Sequence, residues 1–207
     1  MANYELRSDN FSPADIDQAV KIHRQEIGQG FLSSLGDKAL ELIFSLAASS
    51  DAGVLLLARD ESKTVCGFLL GTINTGRFYK HFLLRKSVPA MLYLAPKLIS
   101  IERIRKVMET LLYPSKKDSD RYPDAELLDI AVLKEKQGTG LAQQLFYAFV
   151  EHLRNKGIDE FKITTGETLI RAQKFYEKLG ACKVASIEVH KGQNTYIYLY
   201  QISPIKQ

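Results

Sequence analysis

The clearest change of period along the chain falls at residue 137. Before it, Leu127, Leu128, Ile130, Ala131, Val132 and Leu133 form a short, nearly continuous apolar run of strand length. After it, Leu141, Ala142, Leu145, Phe146, Phe149, Val150 and Leu153 recur at the three-and-four spacing of a helix with one buried face. Lys156 in the last turn and Gly157 just beyond it mark where that helix stops. Upstream, residues 4–9 read as a short strand, and Ser12-Pro13 opens a helix running to about residue 27, where Gly28-Gln29-Gly30 breaks it. A second helix, about 37–48, carries Ala39, Leu40, Leu42, Ile43, Leu46 and Ala47. Two strands follow, 54–59 and 65–73, joined by the polar hairpin turn Asp60-Glu61-Ser62-Lys63. Past residue 157 come a strand-like run at 161–164, a short helix at 168–180 with Thr168 as a cap and Gly180 as terminator, and two last strands. The order predicts an α+β domain with no internal repeat and no interdomain linker, one domain over 1–207.

One segment stands apart. Residues 77–112 show a helical apolar pattern, through Phe78, Tyr79, Phe82, Leu98, Ile101, Ile104, Val107, Met108 and Leu111, with Pro89 and Pro96 as breaks. So much apolar surface must pack on something. An enlarged core, a homodimer contact, and a wall or lid over a binding site all fit, the last supported by Arg77, Lys80, Arg85 and Lys86. Residues 113–123 read as a polar surface loop.

Between the central strand and the long helix lies Gln137-Gly138-Thr139-Gly140-Leu141-Ala142. A glycine-rich turn entering a helix leaves unpaired backbone N–H groups pointing outward, and the macrodipole adds about half a positive charge there, which makes an anion cradle. A Walker loop needs Lys and Ser or Thr after its second glycine, whereas Leu141 and Ala142 follow Gly140. The dinucleotide fingerprint needs a third glycine. Neither fits. From this loop alone, a phosphate site and a merely tight turn remain equally open.

The second half carries a pair of motifs that resembles the GCN5-related N-acetyltransferase (GNAT) superfamily. Gln137, Gly138, Gly140 and Ala142 lie within the family's pyrophosphate-loop pattern, and Ala172, Phe175, Tyr176, Lys178 and Gly180 match its later Ala-x-x-Phe-Tyr-x-Lys-x-Gly motif, with a strand between the two. One position departs: where the family often has Asn, this chain has Leu169, which lacks a side-chain hydrogen bond for the pantetheine arm. The resemblance implies a mixed, mostly antiparallel sheet of six to seven strands flanked by helices and splayed between strands 4 and 5. Against that plan the segment 77–112 is a helical insertion between strands 3 and 4.

The resemblance also implies acetyl-CoA as co-substrate. The backbone of Gly138, Thr139, Gly140, Leu141 and Ala142 would hold the pyrophosphate, with Gln137 leading in. Ile130, Ala131 and Val132 would bond the pantetheine as a pseudo-strand, with Ala172, Phe175 and Tyr176 lining it from the following helix. The N–H of Val132 is the implied donor to the thioester oxygen. An acceptor amine must lose a proton, and Glu126 is the first candidate base; Asp129, on the opposite face of the same strand by period two, is the second. Each reads equally as a polar residue at a strand edge. Tyr176, protonated at neutral pH, is the implied acid for the departing thiolate and otherwise a core tyrosine.

Composition narrows this little. The formal charge of +4 suits a ligand rich in phosphate but decides nothing, and no face interleaves basic and aromatic residues as nucleic-acid binding requires. His23, His81, His152 and His190 show no metal spacing, so no metal is expected. His152 reads as exposed; His23 reads as a helix-surface residue, though with Glu26 it lies where the first helix frames an acceptor cleft. Cys66 and Cys182 read as packed thiols, and with no long apolar run the expectation is a cytoplasmic protein without membrane contact. The apolar turn at 31–36 favours a small-molecule amine as acceptor. Peptide or protein N-acetylation and a non-catalytic CoA-binding regulatory module are the alternatives.

Overall fold

A computed structural model describes residues 4–28, 31–34, 36–85, 121–190 and 193–203. Their elements, in chain order, are β1 (Glu5–Arg7), α1 (Pro13–Glu26), the single turn α2 (Phe31–Ser34), α3 (Asp37–Ser49), β2 (Gly53–Arg59), β3 (Val65–Thr72), α4 (Thr75–Arg85), β4 (Glu126–Val132), a 3-10 turn (Lys134–Lys136), α5 (Leu141–Asn155), β5 (Glu160–Gly166), α6 (Ile170–Lys178), β6 (Cys182–His190) and β7 (Gln193–Gln201). The strands form one seven-stranded sheet in the order β1-β2-β3-β4-β5-β7-β6. Every neighbouring pair is antiparallel except β4 and β5.

That parallel pair positions everything that follows. β4 and β5 are in register only at Glu126↔Lys162 and Leu127↔Ile163, after which they part. From residue 128 onward β4 stays bonded to β3 but leaves its other edge open.

Two cores clamp the sheet. On one face α5 buries Leu145, Phe146, Phe149 and Leu153 against Phe161 and Tyr198. On the other, α1, α3 and the start of α4 bury Ile43, Phe44, Phe68 and Phe78. Removing each such side chain from water contributes roughly 1.5–3 kcal/mol, enough to fix both helix layers on the sheet.

Local chemistry explains the ends. Ser12 Oγ accepts from Asp15 N (3.2 Å) while Asp15 Oδ2 accepts from Ser12 N (2.7 Å), a reciprocal capping box that starts α1. The turn expected at 31–36 contains a helical turn, and Thr168 does not cap α6. That helix starts at Ile170 after Leu169, and Gln173 ties its first turn down by donating to Gly166 O and Glu167 O at 2.9 and 2.8 Å. Cys66 is buried as expected, but Cys182 is exposed because it opens β6 at the sheet's edge. His152 is partly buried, and burial lowers its basicity. Of the 77–112 segment, α4 is described, with Phe78 and Tyr79 sunk in the second core and Arg77 paired with Asp51; its remainder lies outside the described residues. Among the described residues no helix is long and apolar enough to cross a membrane.

Candidate active site

The open edge of β4 begins at a bulge. Gly71 of β3 faces Leu127, and the next residue back, Leu70, faces Asp129, so Leu128 is an extra residue in β4. Glu126 faces Thr72 and Asp129 faces Leu70, two positions apart on β3, which puts both carboxylates on one face of the sheet. Simple alternation separates them; the bulge corrects that expectation by inserting one residue between them. The face they share is the one covered by α1, α3 and α4.

The two carboxylates have different surroundings. Glu126 is held from several sides: Thr164 Oγ1 donates to its Oε1 at 2.9 Å, Thr75 Oγ1 lies 3.1 Å from its Oε2, and Lys162 Nζ lies 3.8 Å from the same oxygen. Such a carboxylate is held in one orientation. Among the described residues Asp129 instead hydrogen-bonds a single side chain, His23, whose Nδ1 is 2.6 Å from Oδ2. Burial raises the proton affinity of Asp129, partly offset by the His23 hydrogen bond, which favours its anion. His23 is only 1% exposed, so the helix-surface reading of this residue is overturned: its ring lies between Phe44 and Phe68 beneath α1.

Tyr176 of α6 is also buried, with its ring against Phe175 and Tyr198. Burial first and the charge on Asp129 second hold its hydroxyl well above the usual tyrosine range, so it keeps its proton at any working pH. Among the described residues that hydroxyl has no hydrogen-bond partner. Phe175 and Ala172 are partly buried against the α5 core.

The glycine turn read above as a candidate anion site lies at the other end of β4. Gln137, Gly138, Thr139 and Gly140 are exposed, and Gly138 and Gly140 adopt φ of 77° and 87°, conformations that favour glycine. Nothing lies within 4 Å of where a Cβ would sit on either glycine, so the loop opens onto free space. The first N–H groups of α5 have no partner within the helix itself, while Leu141 anchors the helix by burying its side chain. These features fit a diphosphate. Along β4, Leu133 N–H donates to Cys66 O at 2.9 Å, so alternation turns the backbone groups of Ala131 toward β3 and those of Ile130 and Val132 toward the gap.

One contributor was not visible in the sequence motifs. Glu26, at the end of α1, accepts from Lys134 N and from Gln137 Nε2, both at 3.0 Å, and Gln137 also reaches Val132 O at 3.4 Å. Glu26 therefore ties the cradle's first residue to the helix that carries His23. We expect Glu26→Gln to raise KM for acetyl-CoA by about 3- to 10-fold with kcat nearly unchanged, the scale of weakening a charge-assisted hydrogen bond at an exposed site. Steady-state kinetics decide it, and an unaltered KM would mean the loop holds its shape alone.

A seven-stranded mixed sheet parted at its parallel pair, with a glycine cradle opening the helix after the central strand, defines a class. Residues 18–181 match the model of the acetyltransferase (GNAT) family, and the chain belongs to that family of acyltransferases, whose members use acetyl-CoA. It is 29% identical over 75 residues to N-alpha-acetyltransferase 30 of Schizosaccharomyces pombe, a match covering 36% of this chain and 50% of that protein. The chain thus spans about half the length of the curated relative it matches. Among solved structures it resembles SsHAT, with a TM-score of 0.71 and 18% identity over 98% of this chain and 100% of that one. It also resembles Arabidopsis thaliana NAA60 in complex with a bisubstrate analogue, with a TM-score of 0.61 and 14% identity over 96% and 98% of the two chains. Ard1 from Thermoplasma volcanium gives a TM-score of 0.59 and 16% identity over 97% and 99%. At these identities the structural likeness speaks for the fold.

Proposed function

We propose that this protein transfers the acetyl group of acetyl-CoA to a primary amine of a small molecule, by direct attack with both substrates bound. The observation that carries the reading is the line-up along β4: an exposed glycine turn at the entrance to α5, an open strand edge at Ile130 and Val132, and Asp129 and Tyr176 at the gap. Acetyl-CoA supplies a thioester as acetyl donor. The N–H of Val132 polarises its carbonyl, Asp129 takes a proton from the attacking nitrogen, and Tyr176 supplies one to the departing sulfur. Glu126, pinned by Thr164, Thr75 and Lys162, is a fixed polar group of the acceptor side.

A second reading, acetylation of a peptide's α-amine, is favoured by the match to the S. pombe N-alpha-acetyltransferase. A panel of glucosamine, spermidine, 2-phenylethylamine and short peptides with free α-amines separates the two. We expect thiol release and an acetylated product of small mass. Acetylation confined to the peptides would move the assignment to the second reading, and coenzyme binding with no thiol release would make the protein a non-catalytic module.

A further inference from the structure

His23 is a buried histidine that none of the family motifs includes. Its Nδ1 meets Asp129 Oδ2 at 2.6 Å; its Nε2 lies 3.2 Å from Ser33 Oγ of α2, and that hydroxyl lies 2.8 Å from Ile27 O at the end of α1. The chain of contacts therefore runs from the gap in the sheet, through the imidazole, to the turn that frames the acceptor side. Ser33 has one proton and two acceptors within reach, Nε2 and Ile27 O. When the proton points to Nε2 the ring is neutral with its hydrogen on Nδ1, donating to an ionised Asp129. When it points to Ile27 O, Nε2 itself donates to Ser33, and the short Nδ1 contact holds one proton between ring and carboxylate. The pair can thus stand with net charge minus one or zero without moving a heavy atom.

We propose that His23, anchored by Ser33, is the positioning residue for Asp129: it keeps the carboxylate in its anionic, proton-accepting form and, by holding Oδ2, orients Oδ1 for the acceptor nitrogen. This inference rests on the acetyl-transfer reading above. As the new C–N bond forms, one N–H bond of the attacking amine breaks and its proton joins Asp129 Oδ1, the electron pair remaining on nitrogen. As the C–S bond breaks, the Tyr176 proton goes to sulfur. One proton has then passed in effect from nitrogen to sulfur, and Asp129 and Tyr176 return to their starting states by exchange with water of the cleft.

Burial works against the histidine: it raises the proton affinity of the Asp129 carboxyl, and the His23 contact is what offsets that and keeps the anion available. Among the described residues the groups facing the pair are these. From α6 comes Tyr176, whose proton is held more tightly by the Asp129 charge. From the same strand comes Glu126, with Lys162 of β5 and Tyr79 of α4 around it. α3 and β3 contribute the rings of Phe44 and Phe68.

Two measurements on the full chain test the inference. The first is the pH dependence of kcat/KM for the best amine of the panel above. Wild type should lose activity on an acid limb, and His23→Leu, which removes the donor that stabilises the anion, should move that limb to higher pH by about one unit. His23→Gln, which keeps an N–H donor, should recover part of the shift, and KM for acetyl-CoA should stay within about two-fold, because the cradle is untouched. The second is 15N NMR of the histidine rings, which needs no acceptor. The His23 signals, assigned by their loss in His23→Gln, should show a hydrogen-bonded Nδ1 proton that Asp129→Asn abolishes. An acid limb that stays in place in His23→Leu, or that moves in Glu126→Gln instead, would overturn the inference, as would a His23 ring insensitive to Asp129→Asn. Failure to acetylate any amine, with the NMR coupling intact, would instead overturn the acetyl-transfer reading.

Discussion

Replacing Tyr176 with Phe should lower kcat by about 10²- to 10⁴-fold, the range attributed to a single positioned acid, while KM for acetyl-CoA changes little. The substitution leaves the ring against Phe175 and Tyr198, so the packing that fixes α6 survives. It removes only a hydroxyl that has no protein partner among the described residues, so folding stability should move by less than about 1 kcal/mol. What disappears is a proton source. Because burial and the neighbouring Asp129 charge keep that proton in place, the wild-type acid should not titrate away at moderately alkaline pH. The loss in the variant should accordingly persist across the whole accessible pH range. A variant with kcat within two-fold of wild type would remove Tyr176 from the chemistry and leave it as a core residue.

The second large effect is expected at Gly140. Its φ of 87° places it in the left-handed region at the entrance to α5, and an Ala there costs about 1–2 kcal/mol of backbone strain. The structure can relieve that strain by turning the peptide, but turning it re-aims the N–H groups that form the cradle. Gly140→Ala should therefore raise KM for acetyl-CoA by at least about ten-fold, equivalent to roughly 1.4 kcal/mol of lost binding, in addition to lowering stability. Gly157 supplies the control. It ends the same helix with a φ of 72° and likewise has open space where a Cβ would sit, but it lies at the far end of α5. Gly157→Ala should lose similar stability by chemical denaturation and leave KM alone. Equal effects of the two variants on KM would show that the loop responds to general destabilisation and is not a specific coenzyme contact.

Both expectations start from motifs that were legible along the chain, since each depends on neighbours in sequence. The glycine turn, the helix that follows and the Phe175-Tyr176 pair are local patterns, and their period alone placed them on a strand edge and two helices. The strand and helix order led to the α+β class for the same reason, while the plan of the sheet came from the resemblance to the GNAT family. The reading fell short where a residue's surroundings come from far away. Thr168 looked like a cap because its type suits one, yet α6 begins two residues later and Gln173 secures it to β5. Cys182 looked packed because its neighbours are apolar, but it opens an edge strand.

Sequence by itself determined the order of strands and helices and the place of the glycine turn between β4 and α5, because turn chemistry and amphipathic period are properties of short segments. Only the tertiary structure decided which carboxylates share a face, since the bulge at Leu128 arises from pairing β4 with β3 and leaves no mark in alternation. It alone also joined His23 to Asp129 across 106 positions and Glu26 to Gln137 across 111. Such contacts depend on where α1 settles against the sheet, which the packing of Phe44, Phe68 and Ile43 fixes, and no local pattern encodes that distance.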